Sequence, residues 1–154
     1  MDWLDNLQKN LKNQIKEIPN MVDDGFMQNE ELIIALNVHQ IEMQKDVNGE
    51  YIKGVYTKNT EEIARSSNPS PLFPKKAGAT YNLFWTGVFV EGLMLRRKKK
   101  AVFDIYSKGI PNSGKKRDFF NRMNVMGLDY ESEKILFDKV GYNVINRVLT
   151  NIYK

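Results

Sequence analysis

There is no cysteine in this chain and only one histidine, His39. The first absence removes disulfides, thiolate metal sites and cysteine nucleophiles together, and it suits a reducing compartment. The second leaves any metal site to be built almost wholly from carboxylates and offers one imidazole as a catalytic base. Long apolar runs are missing as well: Leu32 to Leu36 and Val88 to Val90 fall far short of the roughly 18 residues that a membrane span needs. The opening Met-Asp-Trp-Leu-Asp carries neither the positive charge nor the apolar core of a secretory signal, so synthesis and folding in the cytoplasm are expected. Nor is there a G-x-x-x-x-G-K-[ST] phosphate loop, a G-x-G-x-x-G turn or a G-x-S-x-G elbow. These absences together lead to an expectation of no enzymatic activity, no catalytic residues, no cofactor and no metal.

What is present suits a globular protein. At 154 residues the chain is one domain's worth and long enough to bury about two-thirds of its unfolded surface. Apolar residues at 42% and charged ones at 27% are ordinary globular values. A net charge of +4 and a pI near 9.2 suit contact with a polyanion without requiring it.

Leu4, Leu7, Leu11, Ile15 and Ile18 recur at helical spacing, with Lys9, Asn10, Lys12 and Lys16 on the other side. A helix over residues 1–19 is predicted, ended by Pro19. Its stripe either covers the domain's own sheet or projects as an arm onto a neighbouring subunit. Leu32, Ile34, Leu36 and Val38 alternate with Ile33, Ala35 and Asn37, which favours a strand over 30–38 and leaves a helix from Glu30 to Met43 open. Asp46-Val47-Asn48-Gly49 supplies a turn, and a short strand from Tyr51 to Tyr56 follows. A short helix from Thr57 to Ser66 is expected with Thr60 as its cap and Glu61 and Glu62 at its positive end. Pro69, Pro71 and Pro74 make the next stretch a loop.

Residues 81–109, YNLFWTGVFVEGLMLRRKKKAVFDIYSKG, predict a hairpin over Thr80 to Tyr106 whose reversal carries Arg96, Arg97, Lys98, Lys99 and Lys100. Five adjacent cations either stay in water as a solvated tip or engage phosphates through counterion release. No aromatic residue interrupts the run, so a nucleic-acid contact would be blind to sequence. After a short helix from Asp118 to Asn124, a long helix from about Tyr130 to Tyr153 is set by Ile135, Leu136, Val140, Val144, Ile145, Val148, Leu149 and Ile152, with Asp129 as cap. The layout predicts a single α+β domain: a small antiparallel sheet with a basic-tipped hairpin packed against a long carboxy-terminal helix (129–153), plus the amino-terminal helix.

The acid pairs Asp23-Asp24 and Glu61-Glu62 point their side chains in different directions and do not converge on an ion by themselves. His39, near Glu42, fits a surface or hydrogen-bonded structural role better than that of a base. Trp3, Phe26, Phe73, Tyr81, Phe84, Trp85 and Tyr142 are either core residues or anchors for subunit contacts. The candidates for such contacts are Trp3, Leu4, Leu7, Leu11, Phe73 and Trp85.

QIEMQKDVNGEYIKGVYT at Gln40 to Thr57, the proline-broken loop, LFWTGVFVEGLML with its Thr86-Gly87 pair, and MGLDYESEKIL before the last helix resemble, in order and spacing, the small tail-completion and neck proteins of tailed bacteriophages, particularly the crAss-like type. The resemblance spans roughly Gln40 to Tyr153. Trp85 stands where that family has an aspartate, and the RRKKK run lies outside its pattern. The resemblance implies a structural protein of the virion: a ring-forming homo-oligomer joining portal or connector to tail around the DNA channel, with other neck and tail proteins as partners and no membrane. On the residues alone, a small sequence-blind DNA-binding protein using Arg96 to Lys100 stands as the alternative, and electrostatic contact with genomic DNA is compatible with both.

Overall fold

The protein is described by a computed structural model covering residues 3–67, 74–83, 87–110 and 115–153, of which 67 and 115–117 are described by their backbone alone. Helices α1 (Trp3–Gln28), α2 (Glu30–Glu42), α3 (Lys58–Ser67) and α4 (Val88–Glu91) lead into an antiparallel pair, β1 (Leu93–Lys99) and β2 (Val102–Ser107). Helices α5 (Lys115–Met123) and α6 (Tyr130–Ile152) complete the chain. The fold is α+β, with a two-stranded sheet, an amino-terminal helix and a long carboxy-terminal helix, as expected.

Helix α1 does not stop at Pro19; it continues to Gln28. A proline inside a helix costs about 3 kcal/mol, and what offsets it lies beyond the proline. Met21 and Asp23 are buried, Gly25 lies so close to α6 that a Cβ there would sit 2.5 Å from Val140 Cγ1, and Phe26 stacks on Phe103 with ring centroids 4.8 Å apart. Packing overrides the local rule. The partner of α1 is mainly α6, not the sheet.

Residues 30–42 form a helix, not the favoured strand. Apolar residues occupy 32 to 36 without a break, so alternation and helical periodicity fit them equally well. The buried set is Ile33, Asn37, Gln40 and Ile41, which is one helical face. Its two polar members clamp the segment before α6. Asn37 Nδ2 donates to the carbonyls of Val125 and Gly127 at 2.8 and 2.6 Å, and Gln40 Oε1 accepts from the Asp129 amide at 2.8 Å. The core is centred here, on Ile33, Ile41, Ile52 and Val125.

The turn at Asp46 forms as expected: Gly49 has φ +75°, and Asp46 Oδ1 accepts from the amides of Asn48 and Glu50. The strand expected after it reduces to two isolated bridges, Lys45 with Tyr51 and Val55 with Thr80. Helix α3 is capped by Thr57, whose Oγ1 accepts from the Thr60 amide at 3.2 Å, so Thr60 is not the cap. Glu61 turns away from the helix end to accept from the Ala77 amide at 2.8 Å and from Arg65 at 2.6 Å.

The hairpin is shorter than predicted and its tip lies elsewhere. Thr80 to Leu83 form no ladder, and Gly87, at φ +83°, opens the short helix α4. Pairing begins at Leu93 opposite Ser107. Arg96 to Lys99 therefore belong to β1, and the reversal is at Lys100 and Ala101. Helix α6 agrees with its prediction, and Asp129 caps it by accepting from the Ser132 amide at 2.9 Å.

Candidate functional site: the basic hairpin and an apolar groove

Antiparallel pairing sets Arg96 opposite Asp104. The guanidinium grips that carboxylate through Nε at 3.2 Å and Nη2 at 2.7 Å, and it lies 4.8 Å above the Tyr106 ring. Lys98 Nζ reaches the same carboxylate at 3.3 Å. Arg97 points to the other face, where its Nη2 meets Asp23 Oδ2 at 2.6 Å. The second oxygen of Asp23 accepts from the Ala101 amide at 2.7 Å, which pins the reversal to α1 at a residue with φ +56°. Hydrogen bonds from Arg96 hold Asp104 below the usual carboxylate range, against the effect of its partial burial, and Lys98 adds to the lowering. The same contact raises Arg96.

Three of the five cations are thus committed to carboxylates within the fold. Lys99 and Lys100 are exposed and have no acidic partner within ion-pair distance among the described residues. Paired charges have already lost part of what counterion release would yield at a phosphate. The hairpin is a docked structural part with two free lysines at its end.

A second perturbed cation sits away from the hairpin. Lys75 is 4% exposed. Its ammonium donates to Asn82 Oδ1 and lies 5.2 Å from the centre of the Tyr56 ring. No carboxylate pairs with it among the described residues, and burial pushes its pKa down to about 8. The Tyr56 hydroxyl donates to the same Asn82 oxygen and accepts from the Asn82 amide, both at 3.1 Å; burial raises its pKa.

A second open feature among the described residues is apolar. A groove of about 820 Å³ runs between α1 and α6 over the inner face of the hairpin. Leu95, Ile105, Leu136 and Val140 form its floor; Ile18, Val22 and Phe26 line one side, and Phe137, Val144, Ile145 and Leu149 the other. Phe137 is 68% exposed and Ile145 52%. The charged residues lining it, Asp104 and Glu133, are both acidic.

The candidate contact residues divide. Trp3 and Leu4 are 67% and 60% exposed, Leu11 is exposed and Leu7 half-buried. Phe73 and Trp85 lie outside the described residues. Of the other aromatic residues, Phe26 and Tyr81 are half-buried, Tyr81 meeting Tyr56 and Phe119 edge-on at 4.8 and 5.5 Å; Tyr142 is exposed. Asp24 pairs with Arg147 at 3.6 Å, and His39 lies on the surface 3.9 Å from Glu42. The groove was not expected from sequence. Its signal is the width of the apolar surface on α6, where Ile135, Phe137, Tyr142, Ile145 and Leu149 lie outside the row Leu136, Val140, Val144.

Among the described residues no three His, Cys, Asp or Glu side chains cluster as a metal ion requires. No helix among them is long and apolar enough to cross a membrane. No protein-family model, no curated protein and no solved structure matches this chain.

Proposed function

We propose that this protein is a structural adaptor of a tailed-phage virion, a ring-forming subunit at the neck or top of the tail that works by contact and has no catalytic activity. The observation that carries the proposal is the apolar groove beside α6, with Phe137 and Ile145 open to water. Contiguous apolar surface of this kind marks a protein interaction site on a soluble chain. The order of segments from Gln40 to Tyr153, which resembles the neck and tail-completion proteins, supplies the location. In the proposed mechanism the core around α2, the hairpin and α6 form the rigid body. The amino-terminal helix and the loop over 66–79 meet neighbouring virion proteins, and Lys99 and Lys100 face DNA or an acidic partner. Mass spectrometry and labelled imaging of purified particles of the encoding phage test this reading. The chain is expected in mature particles at the head-tail junction, and its absence from them overturns the assignment.

A further inference from the structure

The two ends of α1 have different surroundings, and the difference follows from register. Gly25 abuts Val140, and Gln14 Oε1 accepts from Asn151 Nδ2 at 3.2 Å. The helices are therefore antiparallel, with residue 25 level with 140 and residue 14 level with 151. Continuing at the same rise, residue 13 is level with Ile152, the last residue of α6, and the turns carrying Trp3, Leu4, Leu7 and Leu11 extend past that helix. This overhang is helical and continues the stripe whose later members, Ile18, Val22 and Phe26, line the groove. Leu4 stands about twelve residues beyond the level of Leu149, a distance of about 18 Å along a straight helix. It cannot enter the groove of its own molecule without a break in α1.

We propose that the groove receives the amino-terminal turns of α1 from a second copy of this chain. Both surfaces are apolar, and among the described residues Trp3, Leu4 and Leu11 of the arm and Phe137 and Ile145 of the groove are exposed. From Leu4 to Leu11 the stripe spans about 10 Å, and the α6 wall from Glu133 to Leu149 spans about 24 Å, so the arm fits within the groove. The charged residues lining the groove, Asp104 and Glu133, are both acidic; Asp104 is held by Arg96 and Lys98, which leaves Glu133 for Lys12, one helical step from Leu11 on the flank of the leucine stripe, while Lys9 faces away. A contact between two different surfaces of one chain is heterologous, so it repeats into a ring or filament and does not stop at a dimer. Nine residues of arm bury less than the roughly 800 Å² per partner of a standard interface. A single contact is therefore weak, and closure of a ring, in which each subunit makes two, stabilises the assembly. This proposal gives the ring reading above its contact surfaces.

The absence of cysteine provides the test. Full-length Leu4→Cys and Ile145→Cys variants, differently tagged and mixed under mild oxidation, are expected to form a mixed disulfide well above the proportion given by random pairing. Adding Leu7→Asp and Leu11→Asp to the arm partner should abolish it while leaving the helical circular dichroism spectrum unchanged. In parallel, sedimentation of the wild-type chain should show concentration-dependent association that Leu7→Asp with Leu11→Asp shifts to monomer. Predominant Leu4→Cys homodimers, indicating arm on arm, or Ile145→Cys homodimers, indicating groove on groove, overturn the proposal, as does a wild-type chain that remains monomeric at every concentration. Detection in virions is independent of this result. A failed cross-link with the chain present in particles removes the arm-in-groove contact alone, and a successful one with the chain absent removes only the virion assignment.

Discussion

Asp23 and Lys75 are both withdrawn from water, at 7% and 4% exposure, and their surroundings are opposite. Asp23 has a guanidinium on one oxygen and a backbone amide on the other. Lys75 has an amide oxygen and an aromatic ring and, among the described residues, no carboxylate. At the hairpin corner, charge is part of the scaffold: it sets where the reversal docks. In the Lys75 corner, charge opposes folding, and the fold tolerates it. The number of cations in a segment therefore says little about how many are available to a ligand.

The largest expected effect probes the unpaired side. The Lys75 pKa falls from 10.5 to about 8 on folding. Below pH 8 both folded and unfolded chains hold the proton, and the fold bears the whole burial cost. Between 8 and 10.5 the unfolded chain holds more protons, so stability rises with pH across that window. The full difference is about 3.5 kcal/mol at about 1.4 kcal/mol per pH unit. Lys75→Met should raise stability at neutral pH toward that figure and flatten the rise, as urea titrations at several pH values will show. A flat wild-type profile between 8 and 10 would falsify the claim that this ammonium is unpaired.

On the paired side, Asp23→Ala strips the acceptor from Arg97 and from the Ala101 amide, and a loss of about 1–3 kcal/mol is expected. Asp23→Asn keeps one acceptor for the amide and should lose less. If alanine and wild type unfold at the same urea concentration, the reversal is not anchored to α1, and the contrast with Lys75 disappears.

The sequence showed the parts of this arrangement that are set locally. Helix α6 was legible because Leu136, Val140 and Val144 recur at helical spacing and the Asp129 cap lies next to them. The contact of Arg96 with Asp104 was within reach, since the residues around the reversal fix which positions face each other. Asp23 was not, because its partner Ala101 is 78 residues away and nothing local couples them. Helix α2 was hidden by being apolar on nearly every side, so the polar residues Asn37 and Gln40, which settle its buried face, looked like interruptions. Pro19 was misjudged because the packing that carries α1 through it comes from α6. The groove was invisible for the same reason: it exists only where α1, α6 and the hairpin meet.

A smaller effect is expected at the exposed ion pair. Asp104 titrates below the ordinary carboxylate range because Arg96 and Lys98 hydrogen-bond to it. Its contribution is therefore present above the unfolded carboxylate pKa, near 4, and is lost as pH falls through the lower folded value. Asp104→Asn should cost less than about 1 kcal/mol at pH 7, and the difference from wild type should close in acid. A gap that persists at pH 2 would indicate packing and not charge.

The smallest effect on stability, and the most direct on function, belongs to the free end of the hairpin. Lys99→Ser with Lys100→Ser should leave unfolding within about 0.5 kcal/mol of wild type, since neither side chain is built into the fold. If the hairpin touches DNA, those two lysines carry the contact, and each phosphate they neutralise steepens the log-log dependence of affinity on salt by about 0.9. The double variant should then have a slope about 2 units shallower, and adding Arg96→Ser and Arg97→Ser should change it little further. A further drop of similar size on losing the arginines would mean that Asp23 and Asp104 release them to phosphate and that the hairpin undocks when it binds. No measurable affinity for duplex DNA at low salt would leave both lysines to a protein partner, and an acidic surface would then be sought opposite them.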